Sequence, residues 1–203
     1  MASSKNSDSS LENKELQLWQ KYKIIAGVDE AGRGALAGPV FAGAVILFPF
    51  SSLPLKDSKL LTPKERKELF LLIKERAISW SYGYADVEEI EKLGILKATL
   101  LAMKRAIQNL VVKPEYILID GNRIIPDLDI PQEAIVKGDR SCKSISGASI
   151  VAKVLRDEFM ENLDKKYPLY GFKKHKGYPT KEHRKNIINY GPSEIHRKTF
   201  KLI

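Results

Sequence analysis

The chain has 203 residues, 43% of them hydrophobic, with 34 Lys and Arg against 25 Asp and Glu, a formal net charge of +9. That length builds one sizeable core and at most two domains, and the positive balance favours a polyanionic partner, nucleic acid or an anionic membrane surface. No run is long and apolar enough to span a bilayer, no signal-peptide core opens the chain, and a single cysteine, Cys142, excludes an internal disulfide, a combination that fits the reducing cytoplasm.

Residues Met1 to Gln17 are Ser-rich and mixed in charge and read as a disordered tail, which leaves 18–203 as one domain. Tyr22 to Val28 is an apolar strand leading into Asp29, and Gly38 to Phe48 is a second strand joined to it by a glycine-rich loop. Thr62-Pro63-Lys64-Glu65 is a capping box with Pro at the first helical position, predicting a helix to about Ala77 that buries Leu69, Leu72 and Ile73. Ile78 to Ala85 alternates as a strand does. Helices follow over Val87–Lys92 and Ile95–Asn109, stopped by Pro114, then a short buried strand, Tyr116-Ile117-Leu118-Ile119, ends at Asp120. Ala134 to Val136 is a weaker strand. Ser144 to Lys166 is a long helix with Ala148, Val151, Ala152, Leu155, Phe159 and Leu163 on one face. From Thr180 the chain reads as short helices broken by Gly191-Pro192. An opening hairpin followed by unevenly alternating helices and strands predicts an α/β domain with a mixed sheet.

The run Gly27-Val28-Asp29-Glu30-Ala31-Gly32-Arg33-Gly34 carries the chemistry. Adjacent carboxylates at a strand end repel each other, and a hard divalent cation such as Mg²⁺ relieves that repulsion through oxygen ligands. Gly-Arg-Gly brings bare backbone close to a ligand and adds a planar cation that suits a phosphate. Asp120 ends another apolar strand, so neighbouring strands would bring it to Asp29 and Glu30. Four acids can hold two cations about 3.5–4 Å apart, the arrangement of two-metal phosphodiester hydrolysis. Asp139, before the long helix, and Asp157, on it, compete for the fourth position. Asp157 follows Lys153 by one turn, a spacing more typical of a solvated or networked helix face.

The basic residues are less specific. Lys56-Asp57-Ser58-Lys59 and Arg140-Ser141-Cys142-Lys143-Ser144 both precede helices, where free amides suit a phosphate; Ser144 by itself reads as an ordinary cap. Tyr178, in a Lys-rich segment ending Gly177-Tyr178-Pro179, can stack on a sugar or base or simply pack a turn. His175, His183 and His196 lack metal-ligand spacing and read as surface or core residues, and Cys142 has no partners for nucleophilic chemistry.

With these residues laid out, the chain resembles bacterial ribonuclease HII from about Tyr22 to Phe200. The resemblance rests on Asp29-Glu30-Ala31-Gly32-Arg33-Gly34, Leu36-Ala37-Gly38-Pro39-Val40, Asp57-Ser58-Lys59, Ile119-Asp120-Gly121, Lys137-Gly138-Asp139, Ser149-Ile150-Val151-Ala152-Lys153-Val154 followed by Arg156-Asp157, Gly177-Tyr178-Pro179-Thr180 and Tyr190-Gly191-Pro192 with Ile195-His196-Arg197. It implies a ribonuclease-H-like fold, a five-stranded mixed sheet flanked by helices with a helical C-terminal part. It implies a metal-dependent endoribonuclease that uses Mg²⁺ or Mn²⁺ to cut RNA in RNA–DNA hybrids and single ribonucleotides in duplex DNA, leaving 3′-hydroxyl and 5′-phosphate ends. Carried over residue by residue, Asp29, Glu30, Asp120 and Asp139 are the metal-binding and catalytic acids. Gly32, Arg33 and Gly34 read the 2′-hydroxyl, Tyr178 packs on the following sugar, and Ser58, Lys59 and Lys143 join the substrate contacts. A monomer with no membrane partner is expected. Ala35 stands where the family usually has proline and Gly147 where it has alanine; neither removes a functional group. The related ribonuclease HIII family carries an extra N-terminal substrate-binding domain for which this tail is too short. A non-catalytic basic nucleic-acid-binding protein would leave the clustered acids unexplained, since bare acids repel phosphates.

Overall fold

The computed structural model describes residues 8–55 and 61–203, with the side chains of 14–55 and 61–203. Five strands, β1 (Ile25–Ala31), β2 (Val40–Ile46), β3 (Ser79–Ala85), β4 (Tyr116–Asp120) and β5 (Gln132–Ile135), form one sheet in the order β3-β2-β1-β4-β5. The pairs β1·β2 and β2·β3 are antiparallel, while β1·β4 and β4·β5 are parallel, so the sheet is mixed as the sequence predicts. The β1–β4 register decides the site: Val28 pairs with Ile119, which sets Asp29 and Asp120 one residue further on at the same sheet edge. Pairing with β2 continues through Ala31 opposite Phe41, so Asp29 and Glu30 lie inside β1 rather than beyond its end.

Seven helices accompany the sheet among the described residues: α1 (Asp8–Lys21), α2 (Pro63–Arg76), α3 (Val87–Leu93), α4 (Ile95–Gln108), α5 (Lys143–Lys166), α6 (Phe172–His175) and α7 (Lys181–Tyr190). The capping box forms as read, with the Thr62 side chain accepting from Glu65 N–H and the Glu65 carboxylate accepting from Thr62 N–H. One face of the sheet packs on α4 through Ala98, Ala102, Met103 and Ala106 against Ala26, Val28, Val40 and Ile119. The other face packs on α5, which is itself covered by α2: Ala148, Ile150, Val151 and Val154 lie among Val45, Leu47, Leu69, Phe70 and Ile73. Three layers therefore enclose two cores. Close approach of α5 needs glycine: a Cβ on Gly27 would land in the main chain at Ser144, and one on Gly43 would land on the carbonyl oxygen of Ala148.

Three expectations are corrected. The tail does not run disordered to Gln17, because residues from Asp8 belong to α1, whose Glu15 is buried and whose Leu18 and Trp19 pack beside Ile25, Leu118 and Ile145. Long-range docking orders a segment whose local composition gives no sign of it. The apolar stripe on α5 is buried only in its first half: Ala148, Val151 and Ala152 are fully buried, but Leu155 is only partly so and Phe159 is 37% exposed, whereas every residue from Ser144 to Ala152 is buried. The N-terminal half, enclosed on all sides, has no period for a stripe to report. Beyond Gly191 the chain forms no further helix but returns to the loop after β1, with Ala37 bridged to His196.

Candidate active site

At the sheet edge a pocket of about 230 Å³ gathers Asp29 and Glu30 of β1, Asp120 of β4, Gly32 and Arg33 of the following loop, Ser149 and Lys153 of α5, Arg66 of α2, and Tyr178. Asp29 is almost fully buried and accepts a 2.6 Å hydrogen bond from the Glu30 N–H at Oδ1. Burial, then the charges of Glu30 and Asp120, push its carboxyl well above the usual carboxylate range, only partly offset by a bond from Ser149. Burial also raises Glu30, against the pull of Arg33, whose guanidinium donates to Glu30 Oε1 at 3.1 Å. Asp139 is buried in the 3-10 turn Gly138–Arg140, and its N–H donates to Asp120 Oδ1 at 3.4 Å. That turn starts with Lys137 in the left-handed region at φ 59°, and a Cβ on Gly138 would meet the tip of the Ile145 side chain, Cδ1, at 2.5 Å.

Among the described residues no three acid or imidazole groups close into a finished metal cage. What the pocket holds is a carboxyl raised first by burial and then by the two like charges beside it. A cation removes that penalty, and an all-carboxylate donor set suits hard Mg²⁺ or Mn²⁺, so the residues fit the expected metals.

Of the expected substrate residues, Gly32, Arg33 and Tyr178 share this pocket with the three acids. Gly32 takes φ 96°, with Arg156 where a Cβ would be, while the Cα of Gly34 faces open space. The Tyr178 ring is half-buried between pocket and α5, with Lys153 Nζ 5.3 Å from its centroid and the Arg156 guanidinium carbon at 5.1 Å. Asp157 pairs with Lys153 at 2.7 Å, the networked helix face its spacing predicts. Ser58 and Lys59 lie outside the described residues.

Lys143 is not in this pocket. It borders a neighbouring cavity of about 400 Å³ with Glu15, Asp139 and Arg140, and its Nζ donates to Ser51 O at 2.7 Å. The amides expected to meet phosphate there are taken: Lys143 N–H donates to Glu15 Oε2 at 2.6 Å, Ser144 N–H to Glu15 Oε1 at 3.1 Å, and the Ser144 hydroxyl also bonds Glu15. Ser144 is therefore not the cap of α5. Cys142 holds the cap position without a side-chain bond, and Glu15 supplies the missing acceptor from α1.

The histidines are core residues, and they share one cluster. Ser193 N–H donates to His196 Nδ1 at 2.9 Å, which leaves the His196 proton on Nε2, facing His183 Nε2 at 3.1 Å. That in turn puts the His183 proton on Nδ1, where it donates to Tyr178 O at 2.9 Å. His175 accepts from Gly177 N–H at 3.2 Å. Burial depresses both His183 and His196 to about 4. Cys142 is buried with its thiol pushed up to about 12, again by burial, which fits no role as nucleophile. The sequence assigns no site role to Ser149, Lys153 or Arg156, although their i, i+4, i+7 spacing puts them on one side of α5.

The profile of the family Ribonuclease HII matches residues 26–203. A ribonuclease HII of Vibrio parahaemolyticus is 50% identical over 204 aligned positions, covering 100% of this chain and 96% of that protein. One from Caldicellulosiruptor saccharolyticus is 51% identical over 190, covering 93% and 92%. The crystal structure of ribonuclease H2 from Pyrococcus horikoshii OT3 matches with a TM-score of 0.74 at 28% identity, over 88% of this chain and 94% of that one. A ribonuclease-H-like sheet with acids converging at one edge, and relatives half-identical along the full length, assign the chain to the ribonuclease HII family, as a metal-dependent ribonuclease H of type 2.

Proposed function

We propose that the enzyme cuts the RNA strand of RNA–DNA hybrids and also duplex DNA carrying a single ribonucleotide, on the 5′ side of that ribonucleotide, leaving 3′-hydroxyl and 5′-phosphate ends. The observation that carries this reading is the single pocket shared by Asp29, Glu30 and Asp120 with Gly32, Arg33 and Tyr178. Asp29, Glu30 and Asp120, with Asp139 from the adjoining turn, would hold Mg²⁺ or Mn²⁺. A bound pair of such ions supplies an activated water and charge stabilisation for the leaving oxygen. The protein's own groups do the recognition. Main-chain groups at Gly32 and Gly34, free of Cβ atoms, can reach a 2′-hydroxyl, which both donates and accepts. Arg33 exchanges Glu30 for the adjacent phosphate. Tyr178 packs on the next sugar, where a deoxyribose fits and a second 2′-hydroxyl would be crowded. Lys143, Ser58 and Lys59 are assigned to the flanking phosphates.

Among the described residues no helix is long and apolar enough to cross a membrane. A lone, buried cysteine supports a cytoplasmic setting. A monomer is supported at β3, an edge strand whose outward carbonyls are occupied: Asn109 donates to Tyr82 O at 2.9 Å and Arg105 to Tyr84 O at 2.7 Å.

Labelled duplexes, one holding a single ribonucleotide and one a continuous hybrid, incubated with Mg²⁺, with Mn²⁺ or with excess EDTA, test the reading. Cleavage of both with either metal and of neither in EDTA is expected. Robust cleavage in EDTA would overturn the metal assignment, and an intact single-ribonucleotide duplex beside a cut hybrid would replace junction recognition with general hybrid hydrolysis.

A further inference from the structure

Arg156 is fully buried in the middle of α5, and it donates to three main-chain carbonyls: Pro39 O from Nε at 3.0 Å, Ala37 O at 3.3 Å and Lys176 O at 3.0 Å. Burying a guanidinium on main-chain oxygens is a costly way to fill a core. The partners explain it, because they belong to two separate segments. Ala37 and Pro39 end the loop that begins with Gly32, and Gly32 itself lies against the guanidinium, which occupies the place a Cβ would take. Lys176 opens the turn that carries Tyr178, whose ring centroid is 5.1 Å from the guanidinium carbon. The two segments also touch directly, with Leu36 N–H donating to Gly177 O at 2.8 Å. Arg197 by contrast holds only the first segment, donating to Gly38 O at 2.9 Å and Arg33 O at 3.0 Å.

The geometry points to Arg156 as a positioning residue that fixes the spacing between the Gly32-Arg33-Gly34 loop and the Tyr178 ring, and so sets the preference for an RNA-to-DNA junction over continuous RNA. This rests on the reading that the loop takes the 2′-hydroxyl and Tyr178 the next sugar. If those contacts lie one nucleotide apart on the substrate, a junction is recognised only while the two protein segments hold a fixed distance. A planar fork that reaches both and stacks on the ring holds that distance; an ammonium on a flexible stem does not.

The test compares kcat/KM on the single-ribonucleotide duplex with kcat/KM on a continuous RNA–DNA hybrid for the wild type, Arg156→Lys and Arg156→Gln, with thermal melts of each. Arg156→Gln takes away the buried charge, so its folding does not depend on satisfying one. Both variants are expected to fold and to lower the ratio of the two values by about tenfold or more, through loss on the single-ribonucleotide duplex, since displacements of order 1 Å cost that much. In a Tyr178→Ala background, Arg156→Lys should move the ratio little further. A merely structural arginine would lower both substrates by one factor, and that result would overturn the proposal. So would an unchanged ratio, or failure of both variants to fold, which would make the clamp inseparable from the core. A wild-type enzyme without activity on the single-ribonucleotide duplex would overturn the junction reading itself, before any variant is compared.

Discussion

Asp139 and Asp157 have the same side chain, and their surroundings separate them. Asp139 is buried in a tight turn bonded to Asp120, and Asp157 is paired with Lys153 along its own helix. On the proposed site, Asp139→Asn should lower turnover by about a thousandfold or more, as loss of a group acting directly on the chemistry does. Asp157→Asn should remain active and lose only about 1 kcal/mol with the ion pair, seen as a drop of about 2–4 °C in Tm. Metal-dependent rates and melts of both proteins check this, and a fully active, folded Asp139→Asn protein would remove Asp139 from the site. The histidine cluster gives a second test at this scale. His183 and His196 stand at about 4 in the fold, below the ordinary histidine value of 6.5. The unfolded chain therefore binds more protons between those values, so their contribution is complete above about pH 6.5 and is lost as pH falls towards 4. The buried carboxyls of Glu15 and Asp29 are raised and act with the opposite sign in the acid range. The imidazole resonances are thus a cleaner readout than overall stability. Two of the three should titrate near 4 in the folded protein by proton NMR; midpoints near 6.5 would contradict the cluster.

The elements show what local sequence reports and what it does not. The Thr62 capping box, the alternation of β3 and the Pro114 stop were legible because each is a local signal, set by neighbours within a few residues. Asp120 was legible as a strand-end acid, but only the parallel β1–β4 pairing makes it a neighbour of Asp29, and pairing is a long-range choice. Arg156 was not legible in its role, since nothing in sequence tells a buried clamp from an exposed helix arginine. Glu15 was invisible for the same reason: its work is to cap α5, more than a hundred residues away. The packing of α5 on β1 and β2 makes its own prediction. A methyl at Gly43 runs into the Ala148 carbonyl, a main-chain atom that cannot swing aside. Gly43→Ala should therefore cost about 3 kcal/mol or more, at the upper end of overpacking effects, measured by urea or thermal unfolding. A change below about 0.5 kcal/mol would show that α5 is free to move.

At the scale of the whole molecule, a protein of net charge +9 concentrates Asp29, Glu30 and Asp120 at one sheet edge and surrounds them with Arg33, Arg66 and Lys153. Basic residues draw in a polyanion, and the acid centre then needs a cation before phosphate can approach. The Gly32 loop and the Tyr178 turn, far apart in sequence, line the same pocket, and the proposed junction reading rests on that shared lining. The most direct test is to map the cut in a duplex with one ribonucleotide at nucleotide resolution. With Mg²⁺ or Mn²⁺, a single cut is expected on the 5′ side of the ribonucleotide, the upstream fragment ending in a 3′-hydroxyl and the downstream fragment starting with a 5′-phosphorylated, alkali-sensitive ribonucleotide. A cut on its 3′ side, or an uncut duplex under conditions in which a continuous hybrid is degraded, would contradict this account.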